Sequence, residues 1–210
     1  MTGSPTAGGF RLGNEILAFR FVATLSERRG DAVVERIPTP DRLRAWLVAN
    51  ELGGDELGGD ELGSAEMPIS DALLRDAREL REAIHRAGTA VADGDVPDPA
   101  DEDLLNRWTA RHRARLVLTG GRARWRLPDS DPARAALAVV AVDAVATLGA
   151  HHRDGEGDGV IKRCEQHTCG GLFLDTSRGR RRRWCSMATC GNKVKKANLK
   201  SQLKAPRANG

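Results

Sequence analysis

Along residues 70–87 the apolar positions Leu73, Ala77, Leu80, Ile84 and Ala87 recur at alternating steps of four and three, while Arg and Glu fill the opposite side. At 3.6 residues per turn these positions share one face, so the stretch predicts an amphipathic helix. A looser version of the pattern, Leu12, Ile16, Phe19 and Val22, predicts a helix near the start. Thr39-Pro40, Asp98-Pro99 and Asp131-Pro132 each set an N-cap residue directly before proline. A first helical turn leaves its N–H groups unbonded anyway, and proline's fixed φ suits it, so each dipeptide should open a helix. The first carries Trp46 and Leu47, the second Leu104, Leu105 and Trp108. The third, over residues 133–148, is apolar on nearly every side and reads as a buried central helix. Over residues 116–127 the period changes: Leu116-Val117-Leu118 precedes Thr119-Gly120-Gly121, and Ala123 and Trp125 then alternate with arginines. That predicts a β-hairpin. The fold class is α+β, mainly α.

Two stretches break the pattern. Residues 51–63 repeat Glu-Leu-Gly-Gly-Asp with a five-residue period, which suits neither helix nor strand and lacks the oxygen-rich spacing of a Ca²⁺ loop. They read as a solvated loop. Glycines at 149, 155, 157 and 159 mark residues 151–159 as a linker, dividing a mainly helical region, 1–150, from a C-terminal module, 160–210. The longest uninterrupted apolar run, 135–142, stops at Asp143, well short of the roughly 20 residues that span a bilayer. The start lacks a basic-then-apolar leader pattern. A cytoplasmic protein without a membrane span is the expectation.

Charge and cysteine sharpen the division. The chain of 210 residues carries a net charge of +4, but residues 160–210 hold +11 and the remainder −7. All four cysteines, Cys164, Cys169, Cys185 and Cys190, lie in the basic module, spaced Cys-x4-Cys-x15-Cys-x4-Cys. Each close pair can act as one chelating knuckle. Four thiolates satisfy Zn²⁺ and leave no position for a catalytic water, so one structural zinc ion is expected. His167 is an alternative ligand to Cys169, and two disulfides or four free thiols are the non-metal readings. Between the knuckles, Leu172 to Leu174 predict a short strand with Phe173 on the metal knuckle, and Trp184 reads as a core anchor.

The module's basic residues form two groups. Arg178 and the run Arg180, Arg181, Arg182 and Arg183 precede the second knuckle; Lys193, Lys195, Lys196 and Lys200 follow it. If the latter segment is helical, Lys193, Lys196 and Lys200 share a face, with Val194 and Ala197 packing inward. Two cationic elements clamped by one metal make a surface suited to a phosphate backbone, and DNA is the expected partner.

The string from Cys169 to Arg178, and the string Arg182-Arg183-Trp184-Cys185-Ser186-Met187-Ala188-Thr189-Cys190-Gly191-Asn192-Lys193, resemble the CGNR zinc-finger family. The family's name motif stands here as Cys190-Gly191-Asn192-Lys193; lysine keeps the charge but loses the planar fork of arginine. The N-terminal region is similar to the ABATE domain that accompanies this finger, in residues 17–25, in Thr39-Pro40-Asp41, and in Leu43 and Trp46-Leu47. Arg20 and Ala23 stand where that family has an Asp and an Asn. The resemblance implies a bacterial, stress-induced, nucleoid-associated transcription regulator. Its acidic body would act as a sensor or dimerisation unit, which adds a second copy and a small-molecule effector as candidate partners.

Three rivals stand beside this reading. The finger could serve an RNA- or ribosome-associated protein. The basic end could dock on an acidic protein partner or on the chain's own acidic body. An enzyme is not expected: no nucleophile–base pairing, glycine-rich phosphate loop or His/Asp/Glu ligand cluster is evident. His85 and His112, among arginines on helix surfaces, and His151 and His152, in the linker, read as solvated.

Overall fold

The computed structural model describes residues 9–53, 67–111, 113–128, 130–152 and 157–204. Most of the five-residue repeat, His112 and the middle of the glycine-rich linker lie outside these residues. The element order is α1 (Leu17–Val22), β1 (Leu25–Ser26), β2 (Val34–Glu35), α2 (Pro40–Ala49), α3 (Asp71–Asp93), α4 (Pro99–Thr109), β3 (Arg115–Thr119), β4 (Arg122–Arg126), α5 (Pro132–Ala150), β5 (Val160–Arg163), β6 (Leu172–Asp175), a π-helical turn (Met187–Gly191) and α6 (Asn192–Lys204). The chain is thus α+β and mainly α, with three two-stranded antiparallel sheets among the described residues.

The three proline-marked helices start where expected. Thr39, Asp98 and Asp131 accept hydrogen bonds from the backbone N–H groups of Arg42, Ala100 and Arg134, satisfying donors that the first turn leaves free. Ser70 caps α3 in the same way and Gly94, at φ 83°, ends it. The early helix is shorter than its spacing suggested: Leu12 and Ile16 precede it, and no side chain at Ile16 caps it. Asp143 of α5 does so instead, accepting the N–H of Ala18 at 2.8 Å. Burial pushes the Asp143 carboxyl above its ordinary range, and the α1 N–H groups and Arg20 counter that rise. In the hairpin β3–β4, Gly120 and Gly121 both adopt positive φ, as a two-residue turn with the right twist requires.

Helix α5 packs against α1, α3 and α4. By length and composition it could cross a membrane, with a mean hydropathy of 1.6, because Arg134 and Asp143 among its 19 residues barely lower the average. The expectation that no such segment exists therefore holds only for uninterrupted runs. In this fold α5 is the core helix: residues 135–141 are all buried.

The cysteine-bearing C-terminal region shares that core. Ile161 of β5 and Leu172 and Leu174 of β6 belong to the same buried cluster as α1, α3 and α5. Gly88 in the middle of α3 explains the close approach, since a Cβ there would lie 2.5 Å from Leu172 Cδ1. The knuckle after β5 is tied down as well. Arg28 and Arg29 donate their backbone N–H groups to the carbonyls of Cys169 and Thr168, and His85 donates Nε2–H to the Gly170 carbonyl at 2.8 Å. His85 is therefore a half-buried structural residue rather than a solvated one. Its pKa is lowered by burial and by Arg28, which keeps the ring neutral. His151 and His152 are half-buried too, with the Nδ1 of His151 donating to the Thr147 carbonyl.

Candidate metal centre and nucleic-acid interface

The four cysteine sulfurs converge from three local structures. Cys164 follows β5, Cys169 closes the loop between β5 and β6, and Cys185 precedes the π-helical turn that carries Cys190. Ser186 caps that turn by accepting the N–H of Thr189, and the turn runs directly into α6. All four Sγ atoms lie within 4.8 Å of one another; Cys169 and Cys185 are 3.7 Å apart, Cys185 and Cys190 3.6 Å. Ligands at the Zn–S distance of about 2.3 Å in a tetrahedron stand about 3.8 Å apart, whereas a disulfide needs about 2.0 Å. The geometry fits one zinc ion and excludes both disulfides.

The chemistry of the donor set agrees. Such close sulfurs cannot all ionise without a cation: donation from the Cys164 thiol and then from Cys185 and Cys190 pushes Cys169 down, while Cys164, Cys169 and Cys190 push Cys185 up. The Gly171 N–H turns toward Cys169 Sγ, and a Cβ at Gly171 would sit 3.2 Å from that sulfur. Arg11 approaches from the N-terminal region, its Nη1 4.0 Å from Cys169 Sγ, and offsets the negative charge of four thiolates. His167 is exposed and outside the cluster, so the His-for-Cys alternative falls away. Trp184 packs against the cluster, as a core anchor should. The buried Phe173 instead lies under Arg182, whose guanidinium is 4.8 Å from its ring centroid.

The nine basic residues singled out by sequence divide. Arg178, Arg180, Arg181, Lys195, Lys196 and Lys200 are exposed. Arg183 is exposed but paired with Glu165. Arg182 faces inward: its Nε and Nη2 donate to the carbonyls of Trp184 and Cys185 at 3.0 and 2.7 Å. Its role is to hold the loop before Cys185. Lys193 pairs with Glu27 at 2.6 Å. Of the apolar residues expected beneath α6, Val194 is half-buried, but Ala197 is exposed because the helix runs clear of the body after its first turn.

Two carboxylates that sequence reading passed over organise this region. Asp175, fully buried at the end of β6, accepts from Lys162 Nζ at 2.8 Å, from the backbone N–H of Ser177 and Arg182 at 3.1 and 2.9 Å, and from Ser177 Oγ at 2.6 Å. Burial opposes its ionisation, but these bonds hold its carboxyl well below the usual range. The Asp-Thr-Ser sequence after a strand was a readable cue for such a turn. Glu27, at φ 57°, accepts from Arg11 at 2.9 Å, from Lys193 and from Thr168 Oγ1. Burial again opposes ionisation, and the bonds from Lys193, Thr168 and Arg11 bring its pKa down to about 2. No local pattern marks Glu27, whose partners lie far along the chain.

Comparison with protein families gives two matches. Residues 15–151 match the ABATE family, described as a "putative stress-induced transcription regulator", and residues 161–202 match the CGNR zinc finger. Curated proteins give no match. With well over half of its length matched, the chain belongs to the ABATE family and carries a CGNR zinc finger at its C-terminal end.

Proposed function

We propose that this protein regulates transcription by binding duplex DNA through the cations of its zinc finger, without catalysis. The observation that carries the reading is the joining of two cationic elements to one metal: the loop bearing Arg178, Arg180, Arg181 and Arg183, and the helix bearing Lys195, Lys196 and Lys200. A cationic surface held in shape by zinc loses little entropy on meeting a phosphate backbone. Neutralising phosphates releases counterions, so binding should fall steeply with salt.

The test is a salt titration of zinc-loaded, full-length protein with labelled duplex DNA. With five to seven phosphate contacts, log K falls against log[salt] with a slope of about −5. Arg181→Gln lowers affinity on every sequence alike and leaves stability unchanged. A flat salt response rejects the interface, and tighter binding to structured RNA at matched salt rejects the choice of DNA.

A further inference from the structure

Between the N-terminal region and the π-helical turn lies a cavity of about 410 Å³ that the metal centre does not account for and that shares only Lys196 with the DNA-facing cations. Its wall includes Arg11 and Arg36 from one side and Thr189, Asn192, Lys193 and Lys196 from the other. Among the described residues, four cations line it and no carboxylate does. The nearest compensation is Glu27, which Arg11 and Lys193 already share. Arg36 is pinned, with Nη1 donating to the Gly9 carbonyl at 2.7 Å and Nη2 to Ser26 Oγ at 3.2 Å. Yet its Nε is buried with no hydrogen-bond partner among the described residues, and so is the hydroxyl of Thr189. Both atoms are shielded from the cavity, so the four cations that line it, rather than these atoms, are what mark it as an anion site. Burial and the neighbouring charges of Arg11 and Arg42 lower the pKa of Arg36, consistent with positive charge in excess.

We infer that this cavity binds a phosphoryl group, which bridges Arg11 and Arg36 of the N-terminal region to Lys193 and Lys196 of the finger. A phosphoryl group presents several anionic oxygens at once, matching guanidinium and ammonium donors that converge from two sides. The volume suits a phosphorylated small molecule, and the same donors suit one phosphate of a DNA backbone. Either source would join the two regions of the chain at the residue that stands in the last place of the CGNR motif, Lys193.

The test is calorimetric titration of zinc-loaded, full-length protein with inorganic pyrophosphate, in wild type and in Arg36→Gln, Lys196→Gln and Arg181→Gln variants. One site is expected, weakened about tenfold or more by Arg36→Gln and by Lys196→Gln, and unchanged by Arg181→Gln. Thermal unfolding run in parallel shows whether Arg36→Gln is folded; if it is not, Lys196→Gln carries the comparison, because Lys196 is exposed and its loss leaves the fold intact. No heat at millimolar pyrophosphate, or equal weakening by Arg181→Gln, overturns the site. Adding duplex DNA separates the sources: displacement of pyrophosphate assigns the cavity to a backbone phosphate, and simultaneous binding assigns it to a free anion. Because pyrophosphate binding is read without DNA, this site can fail while the DNA interface stands, and the reverse.

Discussion

Replacing Asp175 by asparagine sets two views of the basic face against each other. The substitution removes a negative charge, so a surface acting only through its total charge would bind DNA more tightly. If the loop's shape matters, binding weakens, because Asp175 orders that loop through Lys162, Ser177 and Arg182. Asparagine keeps one carbonyl oxygen for Ser177 but turns an NH₂ group toward Lys162 Nζ and the Arg182 N–H, placing donors against donors. Losing one partner of a fully buried ion pair costs about 3–5 kcal/mol. The Lys162 side chain is 29% exposed and can rehydrate, so the expected loss is smaller, about 2–3 kcal/mol. For a chain of this length that lowers Tm by about 4–12 °C. Ordering two loosened arginine side chains on DNA weakens binding by about fivefold or more. Thermal unfolding and fluorescence anisotropy on the same zinc-loaded preparation measure both quantities. An unchanged Tm with equal or tighter DNA binding would refute the claim that Asp175 organises the loop.

Further outcomes follow from the shared core and from the charges around the metal. Chelating zinc should lower the melting temperature of the N-terminal helices, followed by far-ultraviolet circular dichroism, because Ile161, Leu172 and Leu174 would leave their cluster at about 1.5–3 kcal/mol each; helices that melt at the same temperature with and without metal would contradict a common core. Arg11→Gln removes the cation beside Cys169 and should weaken zinc binding about 10- to 100-fold in a chelator competition, whereas an unchanged zinc affinity would assign Arg11 to Glu27 alone. Glu27 has a folded pKa of about 2, below its ordinary value of 4.5, so its stabilisation is fully present above that ordinary value and is lost as pH falls toward 2. The stability gap between wild type and Glu27→Gln, both zinc-loaded, should therefore be constant near neutrality and narrow below about pH 5; a gap that widens on acidification would reverse the assignment.

Helix starts were legible because a cap and its proline act within one turn. Thr39, Asp98 and Asp131 each bond a backbone N–H two or three residues on. The zinc ligands were legible for a similar reason: two close cysteine pairs are chelating units before the chain folds, and the metal's demand for four donors supplies the rest. Helix α1 was less so, because its cap, Asp143, comes from a helix 125 residues away. The fate of the charged residues was hidden for the same cause. Arg182 and Arg181 are neighbours of identical type, and only the positions of Phe173, Trp184 and Cys185 turn one inward and leave the other exposed. Likewise, only folding sets Glu27 against Lys193, 166 residues apart, and Gly88 against Leu172. Local chemistry decided which elements form and which atoms take zinc. Long-range packing decided which cations remain exposed and that the finger shares the core of the helical region, because charge pairing and close approach depend on distances that no short stretch of sequence contains.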